Sequence, residues 1–310
     1  MRRFLREPRL LAEAGTAPAG PAVELPLPGG TVEVRGAGRA SLERLEAVRK
    51  ALGGRRPTGP RAAGLRVHPS PPDAFRDAAS IRWDTYLELE AGPEGVTAAG
   101  YRWLLRLTRS LPLEADLWLD AEADGAVLDD LWENVLRLVA AYTVFAAGGL
   151  VVHSAAAAIE GRGVLFPAPS GGGKSTAAAL LERDGAPVLS DDCNAVIPSP
   201  AGGPPALHCL PFGGERRPRR CPLPAVPLAA VLVLERGDAT AVRSLHPATA
   251  AARLVTAAPF VNADPYLGDR VLDRAAGLLA GVRTGALRPA IGRPAAPAVT
   301  AWLASPPPSG

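Results

Sequence analysis

Val164-Leu165-Phe166-Pro167-Ala168-Pro169-Ser170-Gly171-Gly172-Gly173-Lys174-Ser175-Thr176 is the stretch on which the reading of this chain turns. It has the parts of a phosphate loop in order. An apolar strand delivers the chain to a sharp turn, and successive glycines let backbone N–H groups face an anion with no Cβ in the way. A helix then follows whose N-terminus adds its dipole. Lys174 is placed to reach the β- and γ-phosphates of a nucleotide, and the Ser175 hydroxyl to ligate the Mg2+ that bridges them. Ser170, Gly171, Gly172, Gly173 and Thr176 complete the cradle. One position departs from GxxxxGK[ST]: Ala168 stands where the pattern has glycine, and alanine makes that turn if its φ is negative. The alternative, a glycine-rich turn that binds nothing, fits the GGGKST string and its flanks less well.

The residues after the loop narrow the chemistry. A helix from Ser175 to about Arg183 ends at Gly185, and Pro187-Val188-Leu189 starts a short strand that runs into Ser190-Asp191-Asp192. Lys174 and Asp191 are 17 positions apart. That spacing leaves room for one helix, a turn and a neighbouring strand, so the two carboxylates are expected back at the mouth of the loop. Beside a metal, one such carboxylate can ligate Mg2+ while the other accepts a proton from an attacking hydroxyl. Taken alone, Asp-Asp at a strand end is as readily a turn or a helix cap.

Around this segment the chain reads as two domains. Residues 1–125 are expected to form a β-rich accessory domain. Alternating segments recur at Thr31 to Arg35, Ile81 to Glu90, Tyr101 to Leu107 and Leu113 to Asp120, a helical spacing covers Ser41 to Leu52, and Pro and Gly clusters near 15 to 30 and 53 to 72 read as connectors. Residues 126–304 are expected to form the nucleotide-binding domain, with 305–310 a loose tail. A helix is expected to start at Asp129-Asp130, with Leu131, Trp132, Val135, Leu138, Val139 and Tyr142 on one face. A strand follows over Leu150 to Ile159, then a turn at Gly161-Arg162-Gly163. Further on, Leu228 to Glu235 reads as a buried strand, and Pro247 to Ala257 and Asp269 to Leu279 as helices.

Composition excludes several classes. The 34 Lys plus Arg and 31 Asp plus Glu leave a net charge of +3, too small for nucleic-acid binding by counterion release. Leu138 to Ile159 holds 22 residues without Asp, Glu, Lys or Arg. It is broken by Gly148-Gly149 and contains His153, so it reads as a helix running into a buried strand and not as a membrane span. The N-terminus, MRRFLREPRLLAEAG, has no uninterrupted apolar run of the length of a secretory signal. Cys193, Cys209 and Cys221 are odd in number and lack CxxC spacing. The expected location is the cytoplasm, with reduced thiols.

Together, His153-Ser154-Ala155-Ala156, the loop ending at Lys174 and Leu189-Ser190-Asp191-Asp192 resemble the nucleotide-binding core of HPr kinase/phosphorylase and ATP-dependent phosphoenolpyruvate carboxykinase. The resemblance covers roughly residues 130–290. It is nearest to the HPr-kinase-related proteins of uncertain substrate, some of which accompany peptide-modification cassettes. It implies an α/β phosphate-loop fold of the carboxykinase/HPr-kinase type, ATP and Mg2+ as cofactors, and phosphoryl transfer to a hydroxyl acceptor such as a serine of a peptide or protein. Under it, Lys174 and Ser175 take phosphates and metal. Asp192 is the metal-side carboxylate and Asp191 the general base, roles the two aspartates could exchange. His153 is then the histidine that approaches the metal or the transferred group, although a hydrogen-bonded histidine between two strands fits the sequence nearly as well. Arg216, in a loop with four arginines in five positions, is the preferred anion-binding arginine, against the alternative of a solvated loop. Kinases of this kind often form symmetric oligomers, so a homo-oligomer is compatible with the resemblance. A nucleotide-binding accessory protein that transfers nothing is the competing function.

Overall fold

The computed structural model describes residues 3–7, 20–53, 60–81, 87–213, 221 and 225–306. The chain is mixed α/β, with two sheets and six α-helices among the described residues. It divides into two compact units, Met1–Lys50 with Gly54–Thr143, and Ala51–Gly53 with Val144–Gly310. The divide therefore falls in the last turn of a helix, α2 (Gly125–Ala146), and not at its start near residue 125.

The N-terminal unit is built on a seven-stranded sheet. Its strands are β1 (Val23–Leu27), β2 (Gly30–Arg35), β3 (Arg61–Ser70), β4 (Leu87–Ala91), β5 (Gly95–Gly100), β6 (Trp103–Thr108) and β7 (Leu113–Asp120), in the order β1-β2-β3-β7-β6-β5-β4. β1 and β2 form a hairpin whose turn uses Gly29 and Gly30 at φ +95° and +140°. The helix α1 (Arg39–Ala51) crosses between the parallel strands β2 and β3, burying Leu45. Here the structure corrects the sequence reading, because the supposed connector over 53–72 contains β3, the strand paired to both β2 and β7. Gly64 and Pro69 mask its alternation, although Leu65 and Val67 point into the core. Of the expected strand over Ile81 to Glu90, only the part from Leu87 onward is a described strand, and residues 82–86 lie outside the described residues. The helix expected to start at Asp129 begins four residues earlier, because Leu128 is already buried and Gly125 takes φ +47° to turn the chain into it.

The second unit carries β8 (Leu150–Ile159), β9 (Arg162–Pro167), α3 (Lys174–Arg183), β10 (Val188–Ser190), β11 (Cys193–Ile197), β12 (Ala206–Cys209), β13 (Val226–Leu234), β14 (Ala241–Ser244), α4 (Pro247–Thr256), α5 (Gly268–Leu278), β15 (Arg283–Arg288) and α6 (Ala296–Ala304). Its eight strands run β10-β8-β11-β12-β13-β15-β14, and β9 bridges β8 and β13, so β8, β11, β12, β13 and β9 close a circuit. Closure requires the long strands to change partners. β8 pairs with β11 through His153 and with β9 from Ser154 onward. Two small-residue features permit this crowding: Ala155 to Ala158 are buried alanines, and a Cβ at Gly163 would meet Val226, Leu207 and Pro227.

β9, β13 and β15 are parallel neighbours, and all three end toward the same edge. α3 packs on the sheet with Leu180 and Leu181 against Ile159 and Phe166, joined by Val299 of α6. Asp184, at the end of α3, accepts hydrogen bonds at Oδ2 from the Ala295 and Ala296 amides (2.6 and 2.9 Å), which caps the otherwise unsatisfied N-terminus of α6. α6 occupies part of the Pro- and Ala-rich end; of the expected tail, Ser305 and Pro306 are described and 307–310 lie outside the described residues. Among the described residues no helix is long and apolar enough to cross a membrane.

Candidate functional site

The site grows from the turn between β9 and α3. Gly171 and Gly173 adopt φ of +71° and +88°, the left-handed region that costs glycine nothing, and Gly173 caps α3. Gly172 is required for a different reason: a Cβ there would sit 2.8 Å from Ala168 Cβ and 2.9 Å from Pro169 O. The glycine run therefore makes a tight loop ahead of a helix N-terminus, as the sequence predicts. Lys174 is only 7% exposed, and its ammonium donates to the carbonyl oxygens of Ala168 (3.0 Å) and Pro169 (2.9 Å). Burial pushes this ammonium below its ordinary value, while the charges of Asp192, Asp191 and Cys193 act in the opposite sense. The acidic pair is thus within electrostatic reach of the loop lysine. Ser175, half-buried on the first turn of α3, makes no side-chain hydrogen bond among the described residues. Thr176 is exposed beside it, and Ser170 is exposed on the loop.

Asp191 and Asp192 occupy the break between β10 and β11, both of which pair with β8. The Ser190 hydroxyl accepts from the amides of Asp192 (3.2 Å) and Cys193 (3.3 Å) and so shapes the turn that carries the carboxylates. The Asp192 carbonyl accepts from the Ser154 amide at 2.9 Å. Asp191 is 3% exposed. His153 lies where β8 changes partners. Its Nδ1 is 3.0 Å from Asp192 Oδ1 and 3.1 Å from the Asp192 carbonyl, and its backbone amide donates to Ala257 O at 2.7 Å. Cys193 is its cross-strand partner on β11, so both side chains share one face of the sheet. One donor atom each from His153, Asp192 and Cys193 lies within 4.8 Å of the others.

Two cavities meet at the loop. One, of about 540 Å³, lies at the carboxyl ends of β9, β13 and β15 and is lined by Pro167 to Pro169, Gly171 to Gly173, Thr176, Val233 to Gly237, Arg253, Pro289 and Ile291. The edge outside the carboxyl ends of parallel strands is where α/β sheets bind ligands. The other, of about 390 Å³, is lined by His153, Pro167 to Pro169, Arg253, Thr256, Ala257 and Pro259. The two cavities share the loop entrance and Arg253. That arginine, exposed on α4, has no ion-pair partner among the described residues, and sequence reasoning missed it. It stands alone in its stretch, 79 positions after Lys174, and only the packing of α4 on β13 and β15 brings it to the loop. Arg216, the arginine expected on sequence, lies outside the described residues.

A family model described as SynChlorMet cassette protein ScmC matches residues 120–276, half of the chain. The chain belongs to the ScmC family. No curated protein matches it. The ScmC match takes in His153, the loop, both aspartates, Cys193 and Arg253, so every described residue that frames the second cavity is inside it. The N-terminal sheet apart from Asp120, together with β15 and α6, lies outside the matched segment.

Proposed function

We propose that this ScmC-family chain is a phosphate-loop kinase with a carboxykinase/HPr-kinase type of core, transferring the γ-phosphoryl group of ATP to a hydroxyl acceptor, with a serine of a peptide or protein as the acceptor class. The observation that carries the reading is the convergence of Lys174, at the head of a helix behind a left-handed glycine turn, with an acidic pair, Asp191 buried and Asp192 partly exposed, close enough to act on its charge. The residues fit a triphosphate with its cation. The loop glycines leave a cradle that a Cβ would fill, and the Ser175 hydroxyl is uncommitted among the described residues. In this reading the loop amides and Lys174 hold the phosphates, Ser175 and Asp192 hold Mg2+, and Mg2+ supplies charge neutralisation on the phosphate oxygens.

The first cavity suits the nucleotide, its outer wall being Leu234, Pro289 and an 89% exposed Ile291, against which a base can lie. The second cavity suits the acceptor. By the resemblance Asp191, which is 3% exposed and not among the residues that line either cavity, would take the hydroxyl proton as the acceptor oxygen attacks the γ-phosphorus, with ADP leaving on the loop side. Arg253, at the junction of the two cavities, balances charge on the group in transit.

The test is transfer of label from γ-labelled ATP to serine-containing peptides encoded beside the chain. Native protein should label an acceptor, and Asp191→Asn should abolish labelling while ATP binding persists. Binding of ATP with no labelling of any acceptor would instead make the chain a nucleotide-binding accessory protein.

A further inference from the structure

His153, Asp192 and Cys193 offer an imidazole nitrogen, a carboxylate oxygen and a thiol sulfur from two neighbouring strands. We infer that these three side chains form a binding site for a thiophilic divalent cation of the zinc type, with Cys193 as a thiolate ligand and a fourth position open to the acceptor cavity. The inference rests on the proposed kinase reading and shares Asp192 with it, one carboxylate oxygen serving the thiophilic cation and the other Mg2+ on the loop side, and it is tested without nucleotide so that either can fail alone.

The backbone presets the geometry. His153 and Cys193 are directly opposed across β8 and β11, which puts their side chains side by side on one face. Asp192 reaches the same point from the turn pinned by the Ser190 hydroxyl, with Oδ1 3.0 Å from His153 Nδ1. In a four-coordinate zinc site with bonds of about 2.0–2.3 Å, neighbouring donors stand about 3.3–3.8 Å apart. The donors here are already within 4.8 Å, a gap that rotation about side-chain bonds can close.

Donor chemistry selects the cation. Mg2+ takes an all-oxygen octahedron and keeps its waters, whereas a set of one nitrogen, one oxygen and one sulfur is zinc chemistry. Binding forms a sulfur–metal bond and releases the thiol proton to solvent. Access is through His153: its side chain is 34% exposed and lines the cavity of about 390 Å³, while Cys193 is 3% exposed. Three protein ligands and one open position is the arrangement of catalytic zinc, so a substrate oxygen entering that cavity would meet the cation.

The experiment strips the full chain with chelator and dialyses it against zinc in excess Mg2+, without ATP, with the metal content measured afterwards. One zinc per chain is expected, and X-ray absorption of that zinc should show one sulfur at about 2.3 Å beside nitrogen or oxygen donors. With cobalt(II) in its place, a thiolate-to-metal charge-transfer band should appear. That band should vanish in Cys193→Ser, survive in Cys209→Ser and Cys221→Ser, and zinc affinity should drop at least tenfold in His153→Ala. No retained zinc, zinc with only nitrogen and oxygen neighbours, or a band that persists in Cys193→Ser would overturn the inference. The absorption measurement needs no variant, so a misfolded Cys193→Ser leaves the test intact. Cys193→Asp, which makes the set harder, should shift preference from zinc toward Mn2+ and Mg2+.

Discussion

Lys174 Nζ lies 3.0 Å from the carbonyl oxygen of Ala168, the residue at which this loop departs from the usual phosphate-loop pattern. The departure therefore leaves the turn intact. The Ala168 carbonyl points inward and accepts from the loop lysine, while the Ala168 methyl packs where Gly172 has no Cβ.

Replacing Lys174 with an uncharged chain of similar length relieves the desolvation cost of its charge but leaves the Ala168 and Pro169 carbonyls without their donor and takes that counter-charge from Asp191 and Asp192. Lys174→Met is expected to lower the melting temperature by a few degrees while weakening ATP binding about 10- to 100-fold. That range follows from losing charged hydrogen bonds worth about 1.5–3 kcal/mol. Calorimetric titration with ATP alongside thermal unfolding separates the two effects; equal losses in both would contradict the assignment.

Arg253 sits at the junction of both cavities with no carboxylate partner among the described residues, so its removal should harm chemistry and not folding. Arg253→Gln is expected to slow phosphoryl transfer at least tenfold with an unchanged melting temperature. Arg253→Lys should recover only part of the rate, since a point charge replaces a planar fork. Steady-state transfer assays on the two variants decide it.

Ile291 is nearly fully exposed at the rim of the cavity of about 540 Å³ beside the glycine loop, where it contributes little to the core. Ile291→Asp is expected to reduce ATP affinity several-fold, by loss of an apolar wall and by repulsion of the phosphates, while inorganic triphosphate binding changes less. Competition between the two ligands on the variant reads the difference.

In the N-terminal unit, Asp116 accepts two hydrogen bonds from Arg66 at 2.8 Å and contacts His68 Nε2 at 2.8 Å, and the His68 ring stacks on Trp118 at 5.1 Å. The Arg66 guanidinium holds the Asp116 carboxyl below its ordinary value, burial opposing and His68 adding to the effect. A carboxylate depressed on folding contributes stability above its unfolded value of about 3.8, and that contribution disappears as pH falls through the lower folded value. Asp116→Asn should therefore destabilise this unit at neutral pH and flatten its acid unfolding below about pH 4. Denaturant melts at pH 7 and pH 3, followed by Trp fluorescence, check both halves.

What could be read in the sequence was local. β9, the glycine turn and α3 announce themselves because backbone freedom, dipole and charge all lie within one short stretch. β7 and β8 are equally plain, the one alternating and the other apolar throughout except at His153 and Ser154. β3 escaped because its partners β2 and β7 lie on either side of it in sequence, and Gly64 and Pro69 are tolerated only once both are in place. Arg253 escaped because nothing near it in the chain marks it, and its role comes from the helix that carries it. The pairing of His153 with Cys193 depends on register, which a single strand does not disclose. α6 was hidden by its composition, since its start is stabilised by a carboxylate more than a hundred positions earlier.

That carboxylate, Asp184, has a consequence for anyone who shortens or tags this protein. The helix that opens at the glycine loop ends on the amides of α6, so α6 buttresses the C-terminal end of the helix that carries Lys174. Trimming before Ala295 would remove both amides that Asp184 Oδ2 accepts from and leave that carboxylate, among the described residues, with only the 3.9 Å approach of the Arg183 guanidinium. The damage would then surface far from the cut, as a loosened α3 and a less ordered glycine loop ahead of it.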